Sequence, residues 1–466
     1  MYRGQGYGSH RGGRENVSTR SSWRYANQRQ GHYPYGGWQN NGEPRSLPTV
    51  NEAPLGPVIT EIQIGDIKNP TAPVSEAKIS DLEYVASYSL VGVDSESQRI
   101  IVPGTPALWT PPALPIQVRG DRGEFLRDQN GARFPEHPML PTVRSIFAMN
   151  ESFESSNIDV VGCASSLGNL LRAARSVDST FRFDVDFVGN TLFITRNAKD
   201  EKIQNIRGYG HSFLDAFTTH APNLNETNSH QRIVKYRFQG LNYVVRFESD
   251  SYDGSLGKGK DDSVLPQEKR FVPDSGNSTD VLDVEFSGSV VPQEALLEIK
   301  TQAQYRGTID LTEHIPRLWI RQVPNLVAGY HERGVFVKVK ITNMNDEILQ
   351  WEKNNQSDLR RFAATVNWLV TEVKRANCSS LEVYRQGTGP VQLREQIGTL
   401  RRALPESWSN IWSGLDLHHS KEEESSDSDD DDQGYPTISE LRASISATLD
   451  YTECDLDCGY CGRCAF

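Results

Sequence analysis

Three stretches of alternating apolar and polar residues predict β-hairpins in the middle of the chain. Residues 181–195 read FRFDVDFVGNTLFIT, which is two alternating runs around Gly189. Residues 232–250 read RIVKYRFQGLNYVVRFESD and turn at Gly240, and residues 325–341 contain a third pair of runs. Alternation with a period of two is typical of strands with one buried face, and a glycine between two runs favours a tight turn.

Apolar residues at helical spacing predict three helices. In residues 207–219, RGYGHSFLDAFTT, the apolar spacing places Asp215 near the start of a helix. A short helix is predicted for residues 168–175, and Ser357 is expected to cap a longer one. The predicted core residues of this longer helix are Leu359, Phe362, Val366, Leu369 or Val370, and Val373.

Residues 295–306, ALLEIKTQAQYR, predict a strand with two chemically different faces. Because alternate side chains share a face, Glu298, Lys300 and Gln302 would point one way and two apolar side chains would be buried on the other. A carboxylate and an ammonium group side by side can bind a divalent metal and hold a water near it. For Glu-x-Lys alone, the alternative is a surface ion pair on an amphipathic strand.

Composition divides the chain into segments of different character. The 466 residues are 36% hydrophobic, which is enough for one large domain or two smaller ones plus tails. The net charge of −12 is uneven, because the first 45 residues are rich in Arg and Gly whereas residues 422–432 are almost all acid and serine. We predict a disordered tail over 1–74, a folded domain over 75–378, an extension over 379–419 and an acidic, Cys-rich tail over 420–466.

The predicted N-terminal tail interleaves arginines with tyrosines and tryptophans, around the sequence Arg11-Gly12-Gly13-Arg14. Arginines contact phosphates and aromatic rings stack on bases, so this composition suits loose contact with RNA. The alternative is a solubilising tail without a ligand. Overall acidity argues neither for nor against a nucleic-acid groove in the folded part.

Several features favour an intracellular protein, nuclear or cytoplasmic, with no membrane association. No run of 18 or more apolar residues occurs, and the first residues are polar and basic without an apolar signal region. The six cysteines do not resemble a secreted disulfide framework, because two are isolated and four crowd the last thirteen residues.

Two further stretches provide acids for the chemistry expected at Glu298 and Lys300. Asp215 lies on a predicted helix, and Glu248 and Asp250 share one face of a predicted strand. Phosphodiester hydrolysis needs metal ions that neutralise developing charge and activate water, and oxygen ligands suit Mg²⁺ or Mn²⁺. Crowded carboxylates without a cation would repel one another, so this set favours a bound metal.

The order of these motifs resembles the PD-(D/E)XK nuclease superfamily and, within it, the DXO-type family of RNA decapping exonucleases. The matching stretches are GHSFLD (210–215), ESD (248–250) and EIKT (298–301). Residues 87–100, 181–195 and 323–334 resemble further parts of that family, in the same order along the chain.

The resemblance implies an α+β fold with a mixed, largely antiparallel sheet flanked by helices, a PD-(D/E)XK nuclease-like core and a deep acidic cleft. It implies a metal-dependent hydrolase acting on RNA 5′ ends, of the decapping, pyrophosphohydrolase or 5′–3′ exonuclease type, and a partner exonuclease. The residues that would hold two Mg²⁺ or Mn²⁺ ions are Asp215, Glu248, Asp250 and Glu298. The catalytic residues would be Glu248, Asp250, Glu298 and Lys300, with Lys300 positioning the attacking water.

Some positions depart from the pattern of that family. The acid on the helix is Asp215 where the family usually has Glu, Ser249 is polar where the family is apolar, and residues 162–171 lack the family's arginine. Arg317 stands where the family has a glutamine near the cleft, and it joins Gln302 as a predicted substrate-binding residue. The alternative is therefore a catalytically weakened or inactive protein of the same fold that binds RNA.

The cysteines at the end of the chain are spaced C-x3-C-x2-C-x2-C, at Cys454, Cys458, Cys461 and Cys464. Four thiolates can close a tetrahedral structural Zn²⁺ site. Loops of two or three residues between all four ligands would strain a site for one ion. The alternative is a flexible, redox-sensitive tail.

Overall fold

Three β-sheets and eight α-helices make up the described part of the chain. The computed structural model describes residues 54–67, 76–92, 99–122, 124–126, 128–196, 202–204, 208–224, 227–256, 282–376, 380–398 and 400–415. All of them lie in one unit, Ala53–Phe466. The expectations for residues 1–53 and 416–466, including the four C-terminal cysteines and the Zn²⁺ site, concern parts of the chain outside the described residues.

The strands are β1 (Val58–Ile62), β2 (Ile79–Val91), β3 (Arg99–Gly104), β4 (Leu108–Trp109), β5 (Ile116–Gln117), β6 (Glu124–Leu126), β7 (Val160–Cys163), β8 (Phe181–Val188), β9 (Thr191–Arg196), β10 (Lys202–Gln204), β11 (Thr218–Thr219), β12 (Thr227–Phe238), β13 (Leu241–Glu248), β14 (Ser251–Tyr252), β15 (Asp283–Gly288), β16 (Leu296–Ala303), β17 (Asn325–Glu332), β18 (Val335–Asn343), β19 (Leu381–Arg385) and β20 (Val391–Glu395). The helices are α1 (Gln129–Arg133), α2 (Leu140–Met149), α3 (Ala164–Ala174), α4 (Gly210–Phe217), α5 (His314–Arg321), α6 (Asn345–Asn354), α7 (Gln356–Ala376) and α8 (Glu406–Trp412). Among these helices, none has the length and apolar character that a membrane crossing requires.

A large mixed sheet forms the centre of the fold, with the strand order β1-β20-β19-β8-β9-β7-β13-β12-β2-β3-β15. Most neighbours are antiparallel, but β7 runs parallel to β9 and β13, and β3 runs parallel to β15. Adjacent residues of β13 show how both faces are buried. Val245 packs into the core formed with α3, α5 and α7, whereas Val244 packs into the core formed with α2 and α8. The predicted α+β class, with a mixed sheet flanked by helices, is confirmed.

A second, seven-stranded sheet has the order β11-β4-β14-β16-β17-β18-β5. Helix α4 packs its apolar side chains against Leu297 and Ile299 of β16. Because side chains alternate along a strand, Glu298 and Lys300 are directed to the opposite face. The two faces predicted for this strand are therefore present in the structure.

The three predicted hairpins are β8–β9, β12–β13 and β17–β18. The backbone φ angle is positive at Gly240 and Gly334, as tight turns between twisted strands require. The long helix α7 buries the predicted residues Leu359, Phe362, Val366, Leu369 and Val373. Four details differ from the predictions. Helix α3 begins at Ala164, before the predicted start, and α6 was not predicted. Asp215 lies near the end of α4 and not near its start, and Ser357 lies inside α7, which begins at Gln356. Only two residues of α6 are buried, so its sequence has little of the apolar periodicity that identifies a helix.

The folded region extends beyond the predicted 75–378 domain at both ends. Strand β1, inside the predicted N-terminal tail, pairs with β20 at an edge of the large sheet. Strands β19 and β20 continue that sheet beside β8, and Trp408 and Trp412 of α8 enter its core. Strands β19 and β20 pair with each other, but they join the large sheet through β8 and β1, which are distant in sequence, so local periodicity did not place these segments in the fold.

Replacing Trp412 with alanine tests whether α8 belongs to the cooperative core. The indole is 2% exposed, packs against Phe147 and Phe193, and donates from Nε1 to Thr191 Oγ1 at 2.9 Å. We expect Trp412→Ala to lower the free energy of unfolding by about 3–5 kcal/mol, measured by urea denaturation. The control is Leu415→Ala, at a side chain that is 65% exposed, with an expected change below about 0.5 kcal/mol. An effect of Trp412→Ala as small as that of the control would exclude α8 from the core.

Candidate functional site

The Glu-x-Asp motif lies where the chain passes from the large sheet to the second sheet. Strand β13 ends at Glu248 and β14 begins at Ser251, so Asp250 lies between the two sheets. Asp250 Oδ2 accepts a hydrogen bond from the Ile299 backbone N–H at 2.7 Å, which fixes the carboxylate beside β16. The charge of Glu298 acts on Asp250 there. The structure thus brings the acids of both motifs together.

Glu298 is buried between two cations. Its Oε1 lies 2.9 Å from Lys300 Nζ and its Oε2 lies 2.7 Å from Arg321 Nη1, and each of the three side chains is 6% exposed or less. Burial alone would raise the pKa of Glu298, but Arg321 and Lys300, together with Arg317, hold it well below its ordinary value. The alternative of a surface ion pair on an amphipathic strand is therefore wrong, because this pair is buried.

The other two carboxylates have the opposite tendency. Burial raises the pKa of Glu248 to about 7, and the charges of Asp250 and Asp128 act in the same direction, against a hydrogen bond from Ser229 Oγ at 2.8 Å. Burial, followed by the charge of Glu298, raises the pKa of Asp250 to about 6. Ionising this pair therefore places negative charge in an environment that does not fully compensate it.

Arginines line the cavity next to Glu248. The lining includes Arg196, Arg246 and Arg321, together with Asp128. Arg246 donates to Cys163 Sγ at 2.8 Å and lies 3.7 Å from the Asp128 carboxylate. The lining of the cavity thus combines three arginines with the carboxylates of Glu248 and Asp128.

Arg321 is the residue of this site that sequence reasoning missed. It follows Arg317 by four residues, so a helix places both guanidinium groups on one side. The stretch RLWIR left helix and strand open. Both place the two arginines on one face, but four residues span only about 6 Å in a helix and about 13 Å in a strand. Arg317 is half-buried, and its charge acts on Glu298. It therefore lies near the predicted site, whereas Gln302 is half-buried and donates to Gly307 O at 3.1 Å, within its own loop.

Asp215 does not join the other acids. It is exposed on α4, which packs against the face of β16 that is opposite to Glu298. Partial burial and the charge of Asp121 raise its pKa, and Asp121 also accepts hydrogen bonds from the first backbone N–H groups of α4. The residue of α4 that faces the core at this level is Leu214, which is apolar.

The predicted two-metal site is not supported by this arrangement. Within the described ranges, no group of three or more Asp, Glu, His or Cys side chains is placed to hold a metal ion. Both oxygens of Glu298 contact cationic side chains. Glu248 and Asp250 remain as a carboxylate pair. Mg²⁺ commonly binds one or two carboxylates and completes its shell with water and substrate phosphate, so this pair fits a single divalent ion.

The raised pKa of Glu248 predicts a pH-dependent effect of Glu248→Gln on the metal-free protein. The Glu248 carboxyl group has a pKa of 4.5 in the unfolded chain and of about 7 in the folded protein, so the folded state holds this proton more tightly. The free energy of unfolding therefore falls as the pH rises from 4.5 to about 7. Glutamine at this position does not ionise, so the variant does not lose stability in this way. We expect the stabilisation by Glu248→Gln to be larger at pH 8 than at pH 5, by on the order of 2 kcal/mol in the free energy of urea unfolding.

Glu347→Gln, on an exposed position of α6, is the control for this experiment. It should change stability by the same small amount at both pH values. Equal effects of Glu248→Gln at pH 5 and pH 8 would contradict the assigned environment of this carboxyl group.

Comparison with solved structures finds the Rai1 and Dxo1 proteins. S. pombe Rai1 is 11% identical with a TM-score of 0.49, covering 72% of this chain and 99% of that protein. Candida albicans Rai1 in complex with pU5-Mn²⁺ is 13% identical with a TM-score of 0.47, covering 73% and 97%. K. lactis Dxo1 in complex with manganese is 10% identical with a TM-score of 0.42, covering 73% and 97%.

Rai1 and Dxo1 are proteins of the type that the sequence motifs resemble. The ligands and activities of these proteins are not transferred to this chain. Its function is inferred from the geometry of its own residues. No curated protein sequence matches it. One family profile matches residues 57–394, which is more than half of the chain. The chain therefore belongs to the protein family described as a domain of unknown function (DUF8563).

Proposed function

We propose that this protein is a metal-dependent hydrolase acting on RNA 5′ ends. The observation that supports this most directly is the group of buried Asp250, Glu298 and Lys300 with half-buried Glu248 at the junction of the two sheets. Paired carboxylates with raised pKa values are an unfavourable arrangement that a bound cation relieves. The arginine-lined cavity beside Glu248 offers charge complementary to phosphate groups. RNA is favoured by the motif order and by the Arg- and Tyr-rich N-terminal composition.

In this proposal, Glu248 and Asp250 hold one Mg²⁺ or Mn²⁺ ion. Such an ion polarises the phosphoryl group and lowers the pKa of a bound water. The Asp250 carboxylate is kept in place by the Ile299 N–H, so that its orientation does not depend on the ion. Lys300 and Arg321 neutralise Glu298 and keep positive charge near the reacting phosphate.

A second candidate function is binding of RNA 5′ ends without hydrolysis. Two observations favour it: Arg321 pairs with Glu298, and Asp215 lies on the far side of β16. The resemblance implies that Glu298 binds a metal ion, but here the guanidinium group of Arg321 neutralises its charge. The protein would retain phosphate binding through its arginines while lacking the donors for a second ion.

We further propose, from the sequence, an intracellular location, nuclear or cytoplasmic, and association with a partner exonuclease. Co-purification of an exonuclease with the full chain from intact cells, lost under high salt, would support such association. The choice between Mg²⁺ and Mn²⁺ also stays a proposal, because oxygen donors suit both ions.

Incubation of the purified protein with Mg²⁺ or Mn²⁺ tests the hydrolase proposal. The substrates are one RNA sequence with a 5′ triphosphate, a 5′ monophosphate or a cap, and mass spectrometry identifies the products. We expect release of phosphate, pyrophosphate, a cap or a nucleotide from the 5′ end. Asp250→Asn and Lys300→Met should each lower the rate by about 100-fold, because each removes charge from the reacting centre.

Lys340→Gln is the matched control, since Lys340 is an exposed lysine of the neighbouring strand β18. It should hydrolyse RNA at the rate of the unmodified protein. No product with any RNA and either metal would rule out the hydrolase and leave 5′-end binding as the function.

Arg321→Gln separates the two candidates at the level of metal binding. Removing the guanidinium frees Glu298 Oε2 and takes away a positive charge near the carboxylate pair. We expect the affinity for Mn²⁺, measured by isothermal titration calorimetry, to rise roughly ten-fold, which is about 1.4 kcal/mol. An unchanged or lower affinity would show that Arg321 does not compete with a cation at this site.

A further inference from the structure

A groove between α3 and α5 leads away from the acidic centre. Of the residues that the structure describes, five arginines and one carboxylate, Glu313, line it; the arginines are Arg172, Arg175, Arg196, Arg317 and Arg321. Arg196 and Arg321 also line the cavity beside Glu248. The groove and that cavity are therefore adjacent, and positive charge extends from the acidic centre along the two helices.

The groove is long enough for more than one phosphate group. Ala164 lines its beginning at the first turn of α3, and Arg172 follows eight residues later, which is about 12 Å along a helix axis. Arg175 follows Arg172 by three residues, so the two guanidinium groups lie on the same side of α3. This pair forms the end of the groove farthest along α3 from the acidic centre.

Glu313 lies between these two arginines, but its contacts are long. Its Oε1 is 3.4 Å from Arg175 Nη2 and its Oε2 is 4.0 Å from Arg172 Nη1. Well-formed bonds between a guanidinium and a carboxylate are about 2.7–2.9 Å long. The other terminal nitrogen of Arg175, Nη1, is buried and has no hydrogen-bond partner. Glu313 therefore does not satisfy the hydrogen-bonding capacity of Arg175.

The walls of the groove are apolar, which strengthens the interaction of an anion with the arginines. Leu171, Pro316 and Ile320 line it, and the side chains of Arg172 and Arg175 are only 13% and 11% exposed. Charges in such a partly desolvated groove are less screened than charges on an open surface. A ligand that fills the groove would also cover these apolar side chains.

We propose that this groove binds a phosphate group of the RNA in addition to the one at the acidic centre. Arg172 and Arg175 bind this phosphate, which displaces the Glu313 carboxylate from them. A phosphate group offers three acceptor oxygens and more negative charge than a carboxylate, so it can contact both guanidinium groups at once. The proposal rests on the proposed function only in taking RNA as the ligand, and it requires no hydrolysis.

The test is equilibrium binding in EDTA, so that no metal-dependent turnover occurs. Fluorescence anisotropy follows a labelled RNA that bears either a 5′ triphosphate or a 5′ hydroxyl, with inorganic triphosphate as competitor. We expect Arg175→Gln to weaken binding of the triphosphate RNA about ten-fold and to reduce the salt dependence of binding by about one counterion. Glu313→Gln should strengthen binding at least about three-fold, because it removes the competing charge.

Arg375→Gln is the matched control, since Arg375 is 70% exposed near the C-terminal end of α7 and pairs with Glu372. It should bind both RNAs as the unmodified protein does.

The two RNAs identify the source of the phosphate. Loss of affinity confined to the 5′-triphosphate RNA assigns the groove to the oligophosphate, and equal loss for both RNAs assigns it to a phosphodiester farther along the chain.

Weaker binding by Glu313→Gln would overturn the proposal, because it would show that Glu313 supports the groove instead of competing with the ligand. Unchanged affinity of a folded Arg175→Gln for both RNAs would also overturn it. If only the hydrolase proposal fails, no product forms with Mg²⁺ or Mn²⁺. RNA binding in EDTA would still be weakened by Arg175→Gln and strengthened by Glu313→Gln.

Discussion

The buried contact of Glu298 with Lys300 and Arg321 is the interaction on which the site depends. Lys300 comes from the same strand, whereas Arg321 comes from α5, which packs on the large sheet. The contact therefore joins the second sheet to the helical layer of the first. Removing one partner of a buried ion pair leaves an uncompensated charge, so each of the two cations contributes to keeping Glu298 ionised at this depth.

The three carboxylates of the site differ in their electrostatic environment. Glu298 is compensated by protein cations, whereas Glu248 and Asp250 have raised pKa values and retain the capacity to bind a cation. This difference follows from position. Lys300 and Arg321 contact the Glu298 carboxylate directly, whereas Glu248 accepts a hydrogen bond from Ser229 and Asp250 accepts one from the Ile299 backbone N–H. A site of this kind suits one divalent ion better than two.

The distribution of charge matters more than its total. The chain has a net charge of −12, yet the groove that leads from the acidic centre is lined by five arginines and one carboxylate. Helix α3 with its C-cap and helix α5 place four of these arginines along a common groove, and Arg196 at the end of β9 is the fifth. An acidic protein can therefore present a local surface that is complementary to phosphate.

The sequence by itself determined the three hairpins, the core side of α7, the α+β class, and the common face of Glu298 and Lys300. These features depend on periodicities of 2 and 3.6 residues, which are local properties of the chain. Tertiary structure alone decided that α4 packs on the far face of β16, so that Asp215 is separated from the other acids. It also decided that Arg321 reaches Glu298 and that β1, β19 and β20 complete the large sheet. The physical reason is that packing partners are distant in sequence, and periodicity gives the buried face of an element without giving the surface that covers it.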